Sequence, residues 1–126
     1  MDIRQLIPKH KDDQIVIEQL KKLSFEEVRP IVPDLLECLQ DINWPIAGPI
    51  AEVLQPFTDK IVAEIIFVLK TNDGIWKLWV LTTLLRTTKN QILLKEIDRI
   101  ARCPTRDEIE EEVNNEAVEI LNGEYE

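Results

Sequence analysis

Two similar helix-turn-helix patterns follow one another between Ile31 and Arg86, each with an apolar helix, a turn bearing a tryptophan and a second apolar helix. The turns fall at residues 41–45 and 71–76. The separation between matching residues is nearly constant, as in diverged helical repeats whose insertions fall in turns. The matched positions are Leu35 and Ile65, Leu39 and Leu69, Trp44 and Trp76, and Leu54 and Leu85, with offsets of 30, 30, 32 and 31 residues.

A single helix pair cannot bury its apolar face, whereas stacked pairs bury a continuous core. The repeat therefore predicts an all-α fold, a short HEAT-like helical-repeat stack (an α-α superhelix) of about seven helices. Residues 75–87 are apolar around most of a helix, which favours a buried position with other helices on both sides. Residues 61–69 are rich in β-branched side chains, but we predict a helix because a lone strand would have no partner.

A chain of 126 residues has the length of one domain. We divide residues 1–126 into an extended N-terminal segment (1–11), the central repeat pair (31–88) and an acidic C-terminal helix (105–122). Pro8 argues against a helix in the first segment. Helix starts are predicted from capping signals, with boxes at Ser24–Glu27 and Thr105–Glu108 and caps at Asn43, Thr58 and Asp73. Gly123 predicts a helix stop, after which the last residues should fray.

The formal net charge of −9 comes entirely from the end of the chain. Residues 107–126 carry nine acids and no lysine or arginine, whereas acids and bases balance over residues 1–106. Such a surface repels nucleic acid and anionic membranes and attracts a basic partner. The alternative is a solvated helix face that keeps the protein soluble. No long apolar run and no secretion signal is present, so we expect a cytoplasmic protein.

Residues for bond-making chemistry are scarce. The three glycines, at positions 48, 74 and 123, are too far apart for a phosphate-binding loop. His10 is the only histidine, and the two cysteines, Cys38 and Cys103, form no metal-binding motif. Cys38 shares a helical stripe with leucines and is expected in the core. We therefore expect no catalytic residue, no metal and no cofactor.

The tryptophans leave two interpretations open. Trp76 and Trp79 are three residues apart and can share one helix face, and Trp44 holds the equivalent position in the preceding repeat. They can fill the core, or they can lie at the mouth of a groove as contact anchors, because interfaces are enriched in tryptophan. Lys77 between them is expected to be exposed.

Four sequence blocks resemble those of a bacterial family of unknown function, whose members are small, stand-alone, helical and HEAT-like. The resemblance covers nearly the whole chain and implies no activity. Because several blocks fall at turns, it suggests that Lys9, His10, Trp44, Trp76 and Lys77 converge. The blocks are residues 6–12, 43–45, 75–79, and 104–105 with 111–113.

We expect a non-enzymatic protein-binding module, in its most concrete form an acidic immunity or inhibitor protein that neutralises a basic toxin or nuclease. Two alternatives remain: a small-ligand protein or enzyme with a pocket near Trp44, Trp76 and His10, and a structural oligomer. The sequence does not fix the oligomeric state. The candidate binding residues are Lys9, His10, Trp44, Trp76, Lys77, Trp79, Glu108, Glu111 and Glu112.

Overall fold

The computed structural model describes residues 2–10 and 13–125, and over these residues the chain is helical without a strand. The predicted all-α class is thus confirmed. The expected number of about seven helices is too low, because several helices are only one or two turns long. The helices are α1 (Gln14–Leu20), α2 (Phe25–Val28), α3 (Val32–Glu37), α4 (Ala47–Leu54), α5 (Val62–Leu69), α6 (Gly74–Leu84), α7 (Gln91–Arg102), α8 (Arg106–Glu110) and α9 (Val113–Leu121), with 3-10 turns at Ile3–Leu6, Arg29–Ile31 and Gln55–Lys60.

The chain divides into two compact units, residues 1–57 and residues 58–126. The boundary falls between the two predicted repeat copies. The leucine and isoleucine positions matched between the copies are all buried. The two matched tryptophans differ, because Trp44 lies in a turn before α4, whereas Trp76 lies inside the first turn of α6.

In the first unit, α1 packs on α4 and on the N-terminal 3-10 turn, and α2 and α3 pack on the second 3-10 turn. The N-terminal segment is therefore not simply extended, because Ile3–Leu6 forms a 3-10 turn that buries Leu6. The Phe25 and Phe57 rings meet at 5.2 Å between centroids. The core residues include Leu6, Ile17, Leu20, Val28, Ile31, Leu35, Leu36, Leu39, Ile46, Ile50 and Leu54.

In the second unit, α7 packs against α9 and α5, and α6 packs against α9, α8 and α5. The β-branched stretch forms α5, as predicted, and Ile65, Val68 and Leu69 point to this helical core, whereas Phe67 is exposed. Helix α6 is largely buried, although Ile75 is exposed and Trp79 is half-buried. The core residues include Ile61, Ile65, Val68, Leu69, Val80, Leu81, Leu84, Leu85, Leu93, Ile97, Ile100, Val113, Ala117 and Ile120.

Local capping signals predicted several helix starts correctly. The Ser24–Glu27 capping box is present, and the Asp73 carboxylate accepts from the backbone N–H of Trp76 at 3.0 Å. Two predicted caps are wrong. Asn43 lies in a turn in which its N–H donates to Asp41, and Thr58 lies within the 3-10 turn before α5.

The acidic C-terminal segment is two helices rather than one. Helix α8 ends at Glu110, and α9 begins at Val113 after Glu112, which has a left-handed backbone with φ 58°. Ile109 of α8 is exposed, whereas Val113 and Ala117 of α9 are buried. The predicted stop is confirmed, since α9 ends at Leu121 and Gly123 has φ 72°.

No helix among residues 2–10 and 13–125 has both the length and the apolar composition needed to cross a membrane.

Candidate functional site

Lys77 is buried against two carboxylates of α8. Its ammonium group donates to Asp107 Oδ2 and to Glu108 Oε2, both at 2.8 Å. Only 1% of the Lys77 side chain and none of the Glu108 side chain is exposed. The expectation that Lys77 is exposed is therefore wrong. Its position in the first turns of α6 faces α8, and its partners lie about thirty residues further along the chain.

Glu108 is held by a second cation, Arg99 of α7. The two guanidinium Nη atoms donate to the two Glu108 carboxylate oxygens at 2.9 and 2.8 Å, a bidentate pair. The backbone N–H of Thr105 also donates to Glu108, at 2.8 Å, and this bond confirms one half of the predicted capping box. Glu108 thus joins α6, α7 and α8.

The network continues along α7 to the end of α5. Arg99 Nε donates to Glu96 at 2.6 Å, and the Lys70 ammonium lies 2.8 Å from the other Glu96 oxygen. Three cations therefore face three carboxylates. Buried charges are tolerated where they are paired and hydrogen-bonded in this way.

The electrostatic consequence is clearest at Glu108. Burial alone raises the pKa of its carboxyl group, but hydrogen bonds from Arg99, Lys77 and Thr105 outweigh burial and lower the pKa from 4.5 to about 2. Burial also raises the pKa of Asp107, and bonds from Lys77 and Thr105 reverse that effect and lower it. Both groups carry their charge inside the fold.

Close backbone packing accompanies these ion pairs. Gly74, the first residue of α6, lies so near α8 that a Cβ atom there would clash with the Asp107 carbonyl oxygen and meet Glu111 Cγ at 2.9 Å. Lys77 and Glu108 therefore join helices to each other. These two predicted binding residues are withdrawn from the surface, as is Trp76.

A second inward carboxylate holds the end of the chain. Glu116 of α9 is buried, accepts from Arg86 at 2.9 Å and accepts from the Tyr125 hydroxyl at 3.0 Å. That hydroxyl also donates to Glu119 at 2.8 Å, and the Arg86 guanidinium lies 4.2 Å from the centre of the Tyr125 ring. The expectation of a frayed end is wrong for Tyr125, while Glu126 lies outside the described residues.

The remaining C-terminal acids face outward beside exposed apolar side chains. Glu111 and Glu112, both predicted binding residues, lie in the bend between α8 and α9, partly and fully exposed respectively. Val118 and Leu121 are three residues apart on α9 and are both exposed. We call this surface the acidic face, made of Ile109, Glu110, Glu111, Glu112, Val118, Glu119, Leu121 and Glu124.

Three of the predicted binding residues line one cleft in the first unit. Lys9, His10 and Trp44 surround a cavity of about 340 Å³ together with Pro8, Cys38 and Ile46. Trp44 is 36% exposed, so its ring is available to a ligand. Cys38 is a core residue, as predicted. Burial, with the nearby Glu37 and Asp34 charges, raises the pKa of its thiol to about 11.

The other two tryptophans lie in the second unit. Trp76 is buried, 8% exposed, and follows the Asp73 cap, which agrees with the core interpretation. Trp79 is half-buried. Over residues 2–10 and 13–125, no three His, Cys, Asp or Glu side chains are grouped so that they could hold a metal ion.

Sequence reasoning missed Arg99, Glu96 and Lys70, which complete the ion-pair network around Lys77 and Glu108. The sequence did contain a signal, because α7 is strongly amphipathic and yet turns Glu96 inward. A charged residue on the apolar face of such a helix indicates an internal ion pair.

Comparison with curated proteins gives no match. A family model described as a domain of unknown function, DUF5071, matches residues 6–121, which span both units. The chain therefore belongs to the DUF5071 family.

Proposed function

We propose that this chain is a protein-binding module that uses the acidic face to hold a basic partner. The observation that supports this is the separation of the C-terminal acids into two sets. Asp107, Glu108 and Glu116 are used inside the fold, whereas Glu110, Glu111, Glu112, Glu119 and Glu124 face outward on a segment that also exposes Val118 and Leu121. Val118 and Leu121 add exposed apolar side chains that a docked partner would cover.

The outward carboxylates are largely free of internal cations. Glu110 pairs with Arg106, but no ion pair joins Glu111, Glu112 or Glu119 to a lysine or arginine within the described chain. Unneutralised acids of this kind speed the approach of a basic protein, and the apolar side chains supply contact after docking. Neutralisation of a basic toxin or nuclease is the most concrete form of this proposal.

The test compares two variants of equal net charge. E111Q/E112Q/E119Q/E124Q removes four charges from the acidic face, and E18Q/E26Q/E37Q/E52Q removes four exposed charges from the first unit. Each protein is used to capture partners from extracts of its own cell at low salt. We expect a basic protein with wild type and with the control, and at least a tenfold loss with the face variant.

Equal capture by both variants, or capture of acidic proteins only, would contradict the proposal. A third variant, V118S/L121S, separates specific docking from charge attraction. It keeps every charge and should still weaken capture, because it removes the apolar contacts.

A second candidate function rests on the cleft at Lys9, His10 and Trp44. Its volume of about 340 Å³ falls at the lower end of small-ligand sites. The aromatic ring of Trp44 and the polar groups of Lys9 and His10 suit a small planar ligand that carries a hydrogen-bond acceptor. Because His10 is the only histidine, its ring NMR signals report on this cleft alone.

A fragment screen followed by those signals tests the candidate. Ligands should shift the His10 ring signals saturably in wild type but not in Trp44→Ala. A screen in which no fragment shifts them would remove the candidate.

We also propose that the helices pair as in HEAT repeats, that the protein is bacterial and that it is cytoplasmic. Support for the pairing comes from the buried repeat positions and from the short turn that joins α5 to α6.

A further inference from the structure

A groove in the second unit carries charge opposite to that of the acidic face. It lies along α5 and α7 and encloses about 540 Å³. Four bases and two acids line it, although residues 58–126 as a whole contain nine bases and fourteen acids. The lining residues are Ile66, Lys70, Ile92, Lys95, Glu96, Asp98, Arg99, Arg102 and Cys103.

Three of the four cations that line the groove keep unused donors, whereas Arg99 is committed to Glu96 and Glu108. Arg102 uses Nε for Asp98 at 2.8 Å, which leaves its two Nη groups for a ligand. Lys70 uses one bond for Glu96, and Lys95 has no ion pair within the described chain. Asp98 and Glu96 thus orient Arg102 and Lys70, and neither cation has all of its hydrogen-bond donors in use.

The groove is elongated rather than converging on one point. Its α7 residues run from Ile92 to Arg102, which spans about 15 Å at the rise of an α-helix. Ile92 is exposed at one end, Arg102 at the other, and Lys95 lies between them. Cations spaced along a line match several separate carboxylates better than they match one compact ion.

We infer that this groove binds an extended acidic segment of a partner protein, with an apolar side chain of that segment against Ile92 and Ile66. About five extended residues cover this length at roughly 3.3 Å per residue. Carboxylates of the segment accept from Lys95 and Arg102. This site is separate from the acidic face. Its partner segment is acidic, whereas the partner of the acidic face is basic.

The test uses a defined probe, the peptide acetyl-Glu-Glu-Leu-Glu-Glu-amide. Its neutral analogue has glutamine in place of each glutamate and keeps the leucine. Calorimetry gives the affinity, and backbone amide NMR shifts give the location. We expect saturable binding at low salt with shifts concentrated on α5 and α7. The neutral analogue should bind at least tenfold more weakly.

Charge reversal in and outside the groove provides the matched variants. K95E/R102E changes two groove cations, and K22E/R106E makes the same charge change at exposed residues that do not line the groove. The groove variant should lose at least tenfold in peptide affinity. The control should stay within about twofold, because a charge outside the groove makes at most an exposed ion pair with the peptide, and such a pair contributes little. Ile92→Ser should weaken binding at unchanged charge.

Three outcomes would overturn the inference. One is no saturable peptide binding to wild type, and another is an equal loss in the two charge-reversed variants. The third is tighter binding of inorganic pyrophosphate than of the peptide at the same residues, which would make the groove a compact anion site.

Discussion

The Lys77 ammonium lies 2.8 Å from Glu108 Oε2, and both side chains are closed to solvent. This pair joins α6 to α8, and Arg99 extends it to α7. Removing one partner of a buried pair leaves an uncompensated charge, whereas an exposed pair contributes little. Stability should therefore depend on these internal charges far more than on the surface charges.

Replacing Lys77 with methionine should destabilise the protein strongly. The substitution keeps much of the side-chain volume but leaves Asp107 and Glu108 without their shared cation, so we expect a loss of about 3 kcal/mol in the free energy of unfolding. Urea unfolding followed by circular dichroism measures it. The control, Arg106→Ala, removes the exposed pair with Glu110 and should cost less than about 1 kcal/mol. Similar losses in the two variants would contradict this role for Lys77.

Acid should weaken the protein through Glu108. Its folded pKa is about 2 against an ordinary 4.5, so its contribution to stability is fully present above about pH 5 and is lost as the pH falls toward 2. A shift of this size corresponds to roughly 3 kcal/mol at neutral pH. The pKa of Asp107 is also lowered, so its contribution to stability is lost in acid as well.

Urea unfolding at pH 7, 5, 4 and 3 checks this pH dependence. The difference in unfolding free energy between wild type and Glu108→Gln should shrink as the pH falls, because protonation removes the advantage of the carboxylate. The comparison with a variant cancels most of the change in overall charge. A difference that stays constant from pH 7 to pH 3 would show that Glu108 is not held ionised.

Two glycines should differ in their response to alanine. At Gly74 the added Cβ meets the backbone of Asp107, which cannot move without displacing α8, so we expect a loss of about 1–3 kcal/mol. At Gly48, inside α4, no atom outside its chain neighbours and its own helix backbone lies within 4 Å of the added Cβ. Gly48 directly precedes Pro49, whose ring crowds a Cβ on a helical residue, and this offsets the entropy that alanine removes from the unfolded chain. Alanine there should change the free energy of unfolding by less than about 0.5 kcal/mol. Thermal unfolding of the two variants measures both changes in stability. Equal effects would contradict the close approach of α6 and α8.

The two cysteines should differ in reactivity. Cys103 is exposed, whereas Cys38 is buried and the pKa of its thiol is raised to about 11. Because the thiolate is the reactive form, a disulfide reagent at pH 8 should modify one thiol quickly and the second only after denaturation. Cys103→Ser should remove the fast reaction. A fast reaction that persists in this variant would place Cys38 at the surface.

Features of the fold that depend on neighbouring residues could be predicted from the sequence. Ser24 and Asp73 cap helices whose first turn follows them directly, and Gly123 ends α9 with a positive φ that glycine adopts freely. The buried repeat leucines follow from helical spacing. These features need no knowledge of distant parts of the chain.

Features that depend on distant partners were not predictable in the same way. Lys77 is flanked by tryptophans, and nothing nearby indicates that Asp107 and Glu108 will bury its charge. The break between α8 and α9 at Glu112 was not predictable either, because glutamate rarely adopts a left-handed backbone. A capping signal at Thr105 was recognised, but the sequence did not reveal that its Glu108 also pairs with Arg99.

The candidate binding residues differ in where the structure places them. Lys9, His10 and Trp44 line one cleft, and Glu111 and Glu112 are outward, whereas Lys77 and Glu108 are internal. Charge counting located the acidic segment but could not separate its inward from its outward carboxylates. That separation needs the positions of Arg86, Arg99 and Lys77, which lie on other helices.

The division of the C-terminal acids into an inward and an outward set underlies both the stability of the second unit and the proposed binding surface. Carbon-detected NMR of glutamate carboxyl groups, followed from pH 7 to pH 2, tests it at Glu108 directly. We predict that the Glu108 signal remains that of a carboxylate at pH 3.5, in keeping with a pKa of about 2. Titration of Glu108 near the ordinary value of 4.5 would place it in solvent and contradict the division.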